Sequence, residues 1–173
     1  FVTYGGMSGR DLEALAIGLY EGVEEDYLEY RINQVAYLGE QLAKKGVPII
    51  LPTGGHGVYV DAQKFYPNIP QSEFPGQAMV VELFKTGGVR GVELGSCAFS
   101  KKNLETGEII FPDLELVRLT VSRRVYTNRH MDVVVNALAD VFERRNEMKG
   151  LKLTYEGPII SLRHFTAKFE PIH

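Results

Sequence analysis

The sequence contains little of what several classes of protein require. Cys97 is the only cysteine in 173 residues, which excludes a disulfide within the chain and is typical of a reducing compartment, here the cytoplasm. No cysteine and histidine spacing suits a zinc site. No apolar run approaches the ~20 residues that cross a bilayer. The net charge is only −3 and basic residues do not cluster, so we expect neither nucleic acid nor a membrane as a partner.

What the sequence does contain is the composition of an ordinary folded domain. It is 45% hydrophobic and 24% charged, and it is long enough to bury a core. Periodicity and turn residues predict helices over 9–22, 25–45, 75–86 and 129–147, a helical turn over 61–66, a hairpin over 100–113, and strands or extended segments over 47–51, 58–60, 89–94, 114–121, 151–155 and 162–169. The mixture predicts an α/β or α+β fold.

The first two predicted helices carry clear local signals. Ser8 and Asp11 have the spacing of a capping box and open the first helix. In the second helix, apolar residues recur every three or four positions and predict one buried stripe. These residues are Leu28, Ile32, Val35, Leu38 and Leu42.

One predicted strand carries an arginine where an apolar residue is expected. On one face of this strand Arg118 alternates with Leu114, Leu116 and Thr120, and the opposite face is apolar. A guanidinium in such surroundings is costly unless an anion pairs with it, and its planar fork suits a carboxylate. The pattern leaves two interpretations open, an internal salt bridge to an Asp or Glu and a receptor for the carboxylate of a substrate.

Five separated blocks of the sequence support the second interpretation. They are Tyr4–Asp11, Gly54–Ala62, Phe74–Ala78, Leu116–Asp132 and Leu162–Lys168. In this order they resemble the C-terminal part of tryptophanase and tyrosine phenol-lyase, the β-eliminating lyases that use pyridoxal phosphate (PLP). The resemblance spans nearly the whole chain. It implies that Arg118 binds the α-carboxylate of an amino-acid substrate.

Two further positions bear on which aromatic amino acid is bound. The resemblance implies that His164 lies against the aromatic part of the substrate, at a place where tryptophanases carry histidine and tyrosine phenol-lyases carry phenylalanine. Imidazole titrates near neutral pH, so it can exchange a proton near indole. Leu94 stands where tyrosine phenol-lyases have an arginine, and it suits indole better than a phenolic oxygen. The alternatives are a structural histidine and a leucine of the strand core.

The resemblance also places His56 and Tyr4 near the active site. His56 follows Gly54 and Gly55, and residues without side chains let the backbone come close to a ligand or a neighbour. A histidine that merely belongs to a turn is the alternative. Tyr4 would border the cofactor pocket.

The organisation implied by the resemblance is that of a C-terminal portion. Residues 1–46 would be helices that link an absent large PLP domain to a small one, and residues 47–173 would be the small C-terminal α/β domain of a fold-type-I PLP enzyme. The Schiff-base lysine would lie in the absent part, because Lys101 and Lys102 fall in a polar loop rather than a desolvated site. The ligands of the family's monovalent cation would also lie outside this chain.

The function implied for the full-length protein is that of a PLP-dependent carbon–carbon lyase. It would cleave L-tryptophan to indole, pyruvate and ammonia, whereas this chain alone would be inactive. One alternative is tyrosine phenol-lyase or a related aromatic amino-acid lyase, and another is a non-catalytic truncated chain that assembles with a partner. The expected partners are a small amino-acid substrate and either further copies, since the family forms tetramers, or the missing N-terminal part.

Overall fold

The computed structural model describes residues 5–159 and 162–173, which form helices and three small sheets. The helices are α1 (Gly9–Glu21), α2 (Glu25–Lys44), α3 (Ala62–Phe65), α4 (Pro75–Gly87), α5 (Ser96–Phe99), α6 (Asn128–Glu143) and α7 (Arg163–Thr166). The strands are β1 (Gly57–Asp61), β2 (Val92–Leu94), β3 (Lys101–Lys102), β4 (Ile109–Ile110), β5 (Leu116–Thr120), β6 (Leu151–Tyr155) and β7 (Lys168–Pro171). Short 3₁₀ turns lie at Gln71–Glu73 and Arg145–Glu147. The predicted α/β class is confirmed.

The central sheet has the strand order β1-β5-β2, with both outer strands antiparallel to β5. Arg118 of β5 stands opposite Tyr59 of β1 and Val92 of β2. Because side chains alternate along a strand, Val117 and Leu119 point to the other face, where both are buried. The remaining strands form two hairpin-like pairs, β3 with β4 and β6 with β7.

Helices α2, α4 and α6 cover the buried face of this sheet. Helix α6 packs against both α2 and α4, while α4 contacts β2 and β5 and α2 contacts β1. Apolar side chains of these helices and strands form one continuous core, which includes Val35, Leu38, Leu42, Val58, Val60, Met79, Leu83, Val117, Leu119, Leu138 and Val141. The opposite face of the sheet, which carries Arg118, is covered by none of the three helices.

Local signals set the ends of several helices as expected. The Ser8 hydroxyl accepts a hydrogen bond from the amide of Asp11 at 3.2 Å and opens α1. Thr127 opens α6 through a reciprocal capping arrangement with His130. At the end of α4, Gly88 takes the left-handed conformation, with φ of 66°, which glycine adopts without strain.

The predicted buried stripe of α2 is wrong in its N-terminal half. Leu28 and Ile32 are 38% and 49% exposed, whereas Arg31 and Gln34 are buried. The reason is that this half of α2 faces the turn that follows β5, and carbonyls of that turn accept hydrogen bonds from both polar side chains. In this half of α2, buried polar contacts take the place of the predicted apolar stripe, whereas Val35, Leu38 and Leu42 of the stripe are buried as predicted.

Two predicted extended segments are also wrong. Residues 47–51 form only an isolated bridge between Ile49 and Val60, since Pro48 and Pro52 have no amide hydrogen to donate to a ladder. Residues 162–169 begin with the helical turn α7 rather than a strand. The backbone turns there because the side chain of Arg163 reaches into α5, as described below.

Helix α1 stands apart from the core. It has no buried residue, and its large apolar side chains are about half exposed, among them Leu12, Leu15 and Ile17. Helix α2, in contrast, contributes to the core. The division of the chain at residue 46 stays a prediction.

Among the described residues, no helix combines the length and the apolar character needed to span a membrane.

Candidate functional site

Arg118 lies in the middle of the face of the sheet that the helices leave uncovered. Its Nε atom is buried and has no hydrogen-bond partner within residues 5–159 and 162–173. No carboxylate of the described residues forms an ion pair with its guanidinium. The sequence predicted apolar surroundings for Arg118, but two residues of its own strand face lie in solvent: Leu114 is 56% exposed and Thr120 is also exposed. Arg118 is thus a partly buried cation that pairs with no carboxylate in the part of the chain that the structure describes.

Tyr59 flanks Arg118 on the β1 side and connects it to His56. The Tyr59 hydroxyl and Nε2 of His56 are 3.1 Å apart, within hydrogen-bond distance, and the two rings meet edge to face at 6.0 Å between centroids. The carbonyl of His56 accepts hydrogen bonds from the amide of Val121 at 3.0 Å and from Arg31 at 3.1 Å. The imidazole itself is exposed at the edge of the uncovered face.

The close backbone approach near His56 occurs at Gly57 and not at Gly54 or Gly55, where the sequence suggested it. A Cβ atom on Gly54 or Gly55 would meet nothing within 4 Å. On Gly57 it would lie 2.7 Å from the carbonyl oxygen of Leu119. The close backbone approach therefore occurs between β1 and β5, and it brings His56 towards the strand that carries Arg118.

Leu94 shares the uncovered face with Arg118. It pairs with Leu116 in the register of β2 and β5, so it lies one strand over and two residues along from Arg118. Side chains two residues apart along a strand point to the same face. Leu94 and Leu116 are both half-buried and form an apolar floor next to the guanidinium.

The residue before Leu94 is a buried glutamate that caps α5. Glu93 is 7% exposed, and its carboxylate accepts hydrogen bonds from the amides of Cys97 at 2.9 Å and Ala98 at 3.0 Å. Burial raises the pKa of Glu93 to about 7, although these amide contacts act in the opposite direction. Burial likewise raises the pKa of the Cys97 thiol to about 11, so this cysteine is an inert thiol of the interior.

A second buried glutamate binds the same helical turn. Glu115 is 1% exposed, and its Oε2 accepts hydrogen bonds from the amide of Ser96 at 2.8 Å and from the Ser96 hydroxyl at 2.5 Å. The amide of Gly76 at 3.4 Å and the side chain of Gln71 at 3.4 Å complete its surroundings. A Cβ atom on Gly95 would lie 2.4 Å from this carboxyl group, so only glycine permits the approach.

His164 lies on α7, which Arg163 attaches to α5. Arg163 is 6% exposed. It donates hydrogen bonds to the carbonyls of Cys97 at 2.8 Å and Ser96 at 2.7 Å, and to the carboxylate of Glu156 at 3.0 Å. His164 is exposed, and its ring lies against that of Phe165 at a tilt of 45°, with 3.9 Å between ring centroids. The attachment places α7 beside the turn that directly follows Leu94.

The structure therefore gathers some of the predicted residues and not others. Arg118 and Leu94 share one face of the sheet, His56 borders it, and His164 is tethered near its β2 end through Arg163. No contact joins His164 to Arg118 among the described residues. Tyr4 lies outside the residues that the structure describes.

Sequence reasoning missed the buried charged residues of this region. They include Arg31, Glu93, Glu115 and Arg163. A signal was present for two of them, because Glu93 and Glu115 each stand between apolar residues of a predicted strand, the same pattern that singled out Arg118. The partners of Arg163 are carbonyls 66 and 67 positions away in the sequence, and no local pattern reveals them.

Every lysine of the chain is exposed. A lysine that forms a Schiff base needs a positioned and partly desolvated site, where its pKa is lowered. Lys101 and Lys102 lie in the exposed hairpin of β3 and β4. None of the lysines here fits as the covalent anchor of PLP.

Comparisons with known proteins bear on the family and on the extent of the chain. The family described as beta-eliminating lyase matches residues 14–137. A tyrosine phenol-lyase of Symbiobacterium sp. (strain SC-1) is 52% identical over 170 residues, which are 98% of this chain and 36% of that protein. A probable tryptophanase of Aeropyrum pernix is 51% identical over 99% of this chain and 37% of its own length. A tryptophanase of Salinibacter ruber is 48% identical over 99% and 36%.

The chain thus spans about 36% of the length of these relatives. Relatives with both names match it at nearly the same identity. Overall similarity therefore does not separate a tryptophanase from a tyrosine phenol-lyase.

Proposed function

This chain belongs to the β-eliminating lyase family, and we propose that it is the substrate-recognition portion of an aromatic amino-acid lyase. Members of this family depend in general on PLP. The complete protein would have a fold-type-I architecture, with this chain as its C-terminal part. The exposed apolar side chains of α1 favour burial of that helix against the rest of a longer polypeptide or a further copy in a tetramer.

The observation that carries the proposal is the buried Nε atom of Arg118, which has no hydrogen-bond partner among the described residues. A buried Nε atom without a partner costs free energy, and an incoming carboxylate would recover it through a charge-assisted pair. The uncovered face around Arg118 gives such a ligand access. We assign Arg118 to the α-carboxylate of the substrate.

The aromatic ring of the substrate would lie over the apolar surface that Leu94 and Leu116 form next to Arg118. Leu94 offers apolar contact and no partner for a phenolic oxygen, so it favours indole. His164 would exchange a proton with the leaving ring, while His56 and Tyr59 would border the carboxylate end. These assignments favour cleavage of L-tryptophan to indole, pyruvate and ammonia over cleavage of tyrosine.

The cofactor would be held mainly by residues outside this chain. When PLP is bound, it supplies an electron sink for the bond-breaking steps, and the exposure of every lysine here agrees with an anchor elsewhere. The ligands of a monovalent cation would also lie elsewhere. The present residues contribute by orienting the amino acid, excluding water from its aromatic ring and providing a proton donor.

A substitution in the full-length enzyme tests the assignment of Arg118. Arg118→Ala should lower kcat/KM for tryptophan roughly 100-fold or more, because it removes one partner of the proposed charge pair. This corresponds to a loss of about 3–5 kcal/mol of transition-state stabilisation. Arg129→Ala, at an exposed position of α6, is the matched control and should change kcat/KM by less than about twofold. Activity of Arg118→Ala within threefold of wild type would remove this residue from the site.

The same assay separates the candidate functions. Pyruvate release from tryptophan and from tyrosine is measured at saturating PLP, and tryptophan should be the faster substrate. Faster turnover of tyrosine would favour tyrosine phenol-lyase, the second candidate, which is supported by the relative of that name at 52% identity. A native product whose intact mass equals that of this chain, without turnover of any aromatic amino acid, would favour a non-catalytic assembly partner.

A further inference from the structure

Helix α5 lies between the two side chains that the proposed function assigns to the aromatic ring. Leu94 ends the strand just before it, and the α7 turn with His164 packs against it. Three buried charged residues hold this short helix. Glu93 and Glu115 accept hydrogen bonds from its amides, and Arg163 donates to its carbonyls.

Leu94 and His164 each directly follow one of these buried residues in the sequence. Glu93 precedes Leu94 in β2, and Arg163 precedes His164 in α7. Because neighbouring side chains of a strand point to opposite faces, the contact of Glu93 with α5 sets the height at which Leu94 meets the uncovered face. The three hydrogen bonds of Arg163 likewise set where α7 begins, and with it the position of His164.

We infer that Glu93, Glu115 and Arg163 are positioning residues that fix the separation between Leu94 and His164 through α5. The inference rests on the proposed function, which gives these two side chains their common ligand. A displacement of about 1 Å at a site of this kind costs much of the rate. These three residues, called the α5 array below, therefore control the step in which the aromatic ring leaves. Arg118 on the neighbouring strand controls how the amino acid binds.

Several features indicate that the array is specific to this turn. Glu115 reaches α5 only because residue 95 is a glycine, since a Cβ atom there would be 2.4 Å from the carboxyl carbon. The remaining nitrogen of Arg163 is occupied by Glu156 at 3.0 Å, so the guanidinium bonds in three directions. Fully satisfied buried networks of this kind rigidify what they connect.

The first experiment measures whether α5 and α7 are coupled, and it does not depend on activity. Hydrogen exchange of the full-length protein is compared for wild type, Arg163→Gln and the control Arg144→Gln. Arg144 is a suitable control because it also makes side-chain hydrogen bonds, but to Glu82 and Thr86 of α4 rather than to α5. Arg163→Gln should accelerate exchange at least tenfold in residues 96–100 and in residues 163–167 together, and Arg144→Gln should accelerate neither.

The second experiment is kinetic. In Arg163→Gln, kcat for pyruvate release from tryptophan should fall at least tenfold, KM should change less than threefold, and the preference between tryptophan and tyrosine should shift at least threefold. Arg144→Gln should leave these parameters within twofold even if it lowers the melting temperature equally. Arg163→Lys, which keeps the charge and one donor direction, should recover part of kcat.

Two results would overturn the inference. One is faster exchange confined to residues 163–167, which would show that α7 is loosened without α5. The other is kinetics of Arg163→Gln that match those of Arg144→Gln. If Arg163→Gln does not fold, Arg163→Lys, which keeps the charge but cannot make both bonds to α5 and the bond to Glu156, should give the same paired exchange at two- to fivefold, and its absence would count against the inference. A wild-type enzyme inactive on both amino acids would refute the proposed function alone, because hydrogen exchange would still decide the coupling.

Discussion

Glu93 is expected to make the free energy of unfolding depend on pH. Its side chain is 7% exposed, and burial raises its pKa from 4.5 to about 7, with a smaller contribution from the nearby charge of Glu115. A carboxyl group with a raised pKa binds its proton more tightly in the folded than in the unfolded protein. The stabilisation is therefore fully present below pH 4.5 and is lost as the pH rises through about 7.

The size of the effect follows from the same shift. A change in pKa from 4.5 to about 7 corresponds to at most about 3 kcal/mol. Glutamine at this position keeps the volume and one acceptor oxygen, and it does not titrate. Between pH 5 and pH 8, the free energy of unfolding of Glu93→Gln should therefore improve by about 2–3 kcal/mol relative to that of the wild type.

Urea unfolding of both proteins at pH 5, 6, 7 and 8 measures this difference, and the subtraction cancels groups that titrate alike in the two. Glu108→Gln, at an exposed position between β3 and β4, controls for the loss of one surface charge. A difference that stays constant from pH 5 to 8 would refute the reasoning, as would one that moves in favour of the wild type. Either result would mean that the amides of α5 fully compensate the buried charge of Glu93.

Three further predictions concern the same region. Gly95→Ala should lower the free energy of unfolding, measured in urea, by about 1–3 kcal/mol, because its Cβ atom would lie 2.4 Å from the Glu115 carboxyl carbon. Gly54→Ala, whose Cβ atom would meet nothing within 4 Å, is the control and should have little effect. Cys97, 2% exposed and with a pKa of about 11, should resist iodoacetamide at pH 7.5 in the native protein and react in urea; rapid native alkylation would contradict its burial. In the full-length enzyme, His164→Phe should lower kcat for tryptophan more than it raises KM, since proton transfer acts in the transition state; unchanged indole release would remove this role.

Elements with strong local signals were predictable from the sequence. Helix α4 lies between Pro75, which occupies its first turn, and Gly88, which ends it in the left-handed conformation. Helix α6 begins at the capping box of Thr127 and keeps its apolar side on the core. In these cases the interactions that form the element lie within a few residues of one another, so the sequence alone specifies them.

Elements shaped by distant contacts were not predictable. In α2 the buried Arg31 donates hydrogen bonds to the carbonyls of Val121 and His56, on a side of the helix where an apolar stripe was predicted. The helical turn α7 depends on Arg163, whose partners lie in α5. In both cases one buried arginine satisfies several backbone carbonyls, and a hydrophobic pattern contains no information about such bonds.

The same sequence signal, a charged residue inside an apolar strand, has two different outcomes in this protein. At Glu93 and Glu115 the partners are amides of α5 within the chain, and the charge serves to hold a turn in place. At Arg118 the buried Nε finds no partner among the described residues, and the side chain faces the uncovered side of the sheet. The cost of burying a charge must be recovered in every case. Where the described residues do not supply the counterpart, a ligand is one group that can, and on this difference in hydrogen bonding rests our proposal that Arg118 binds substrate whereas Glu93 and Glu115 support the site.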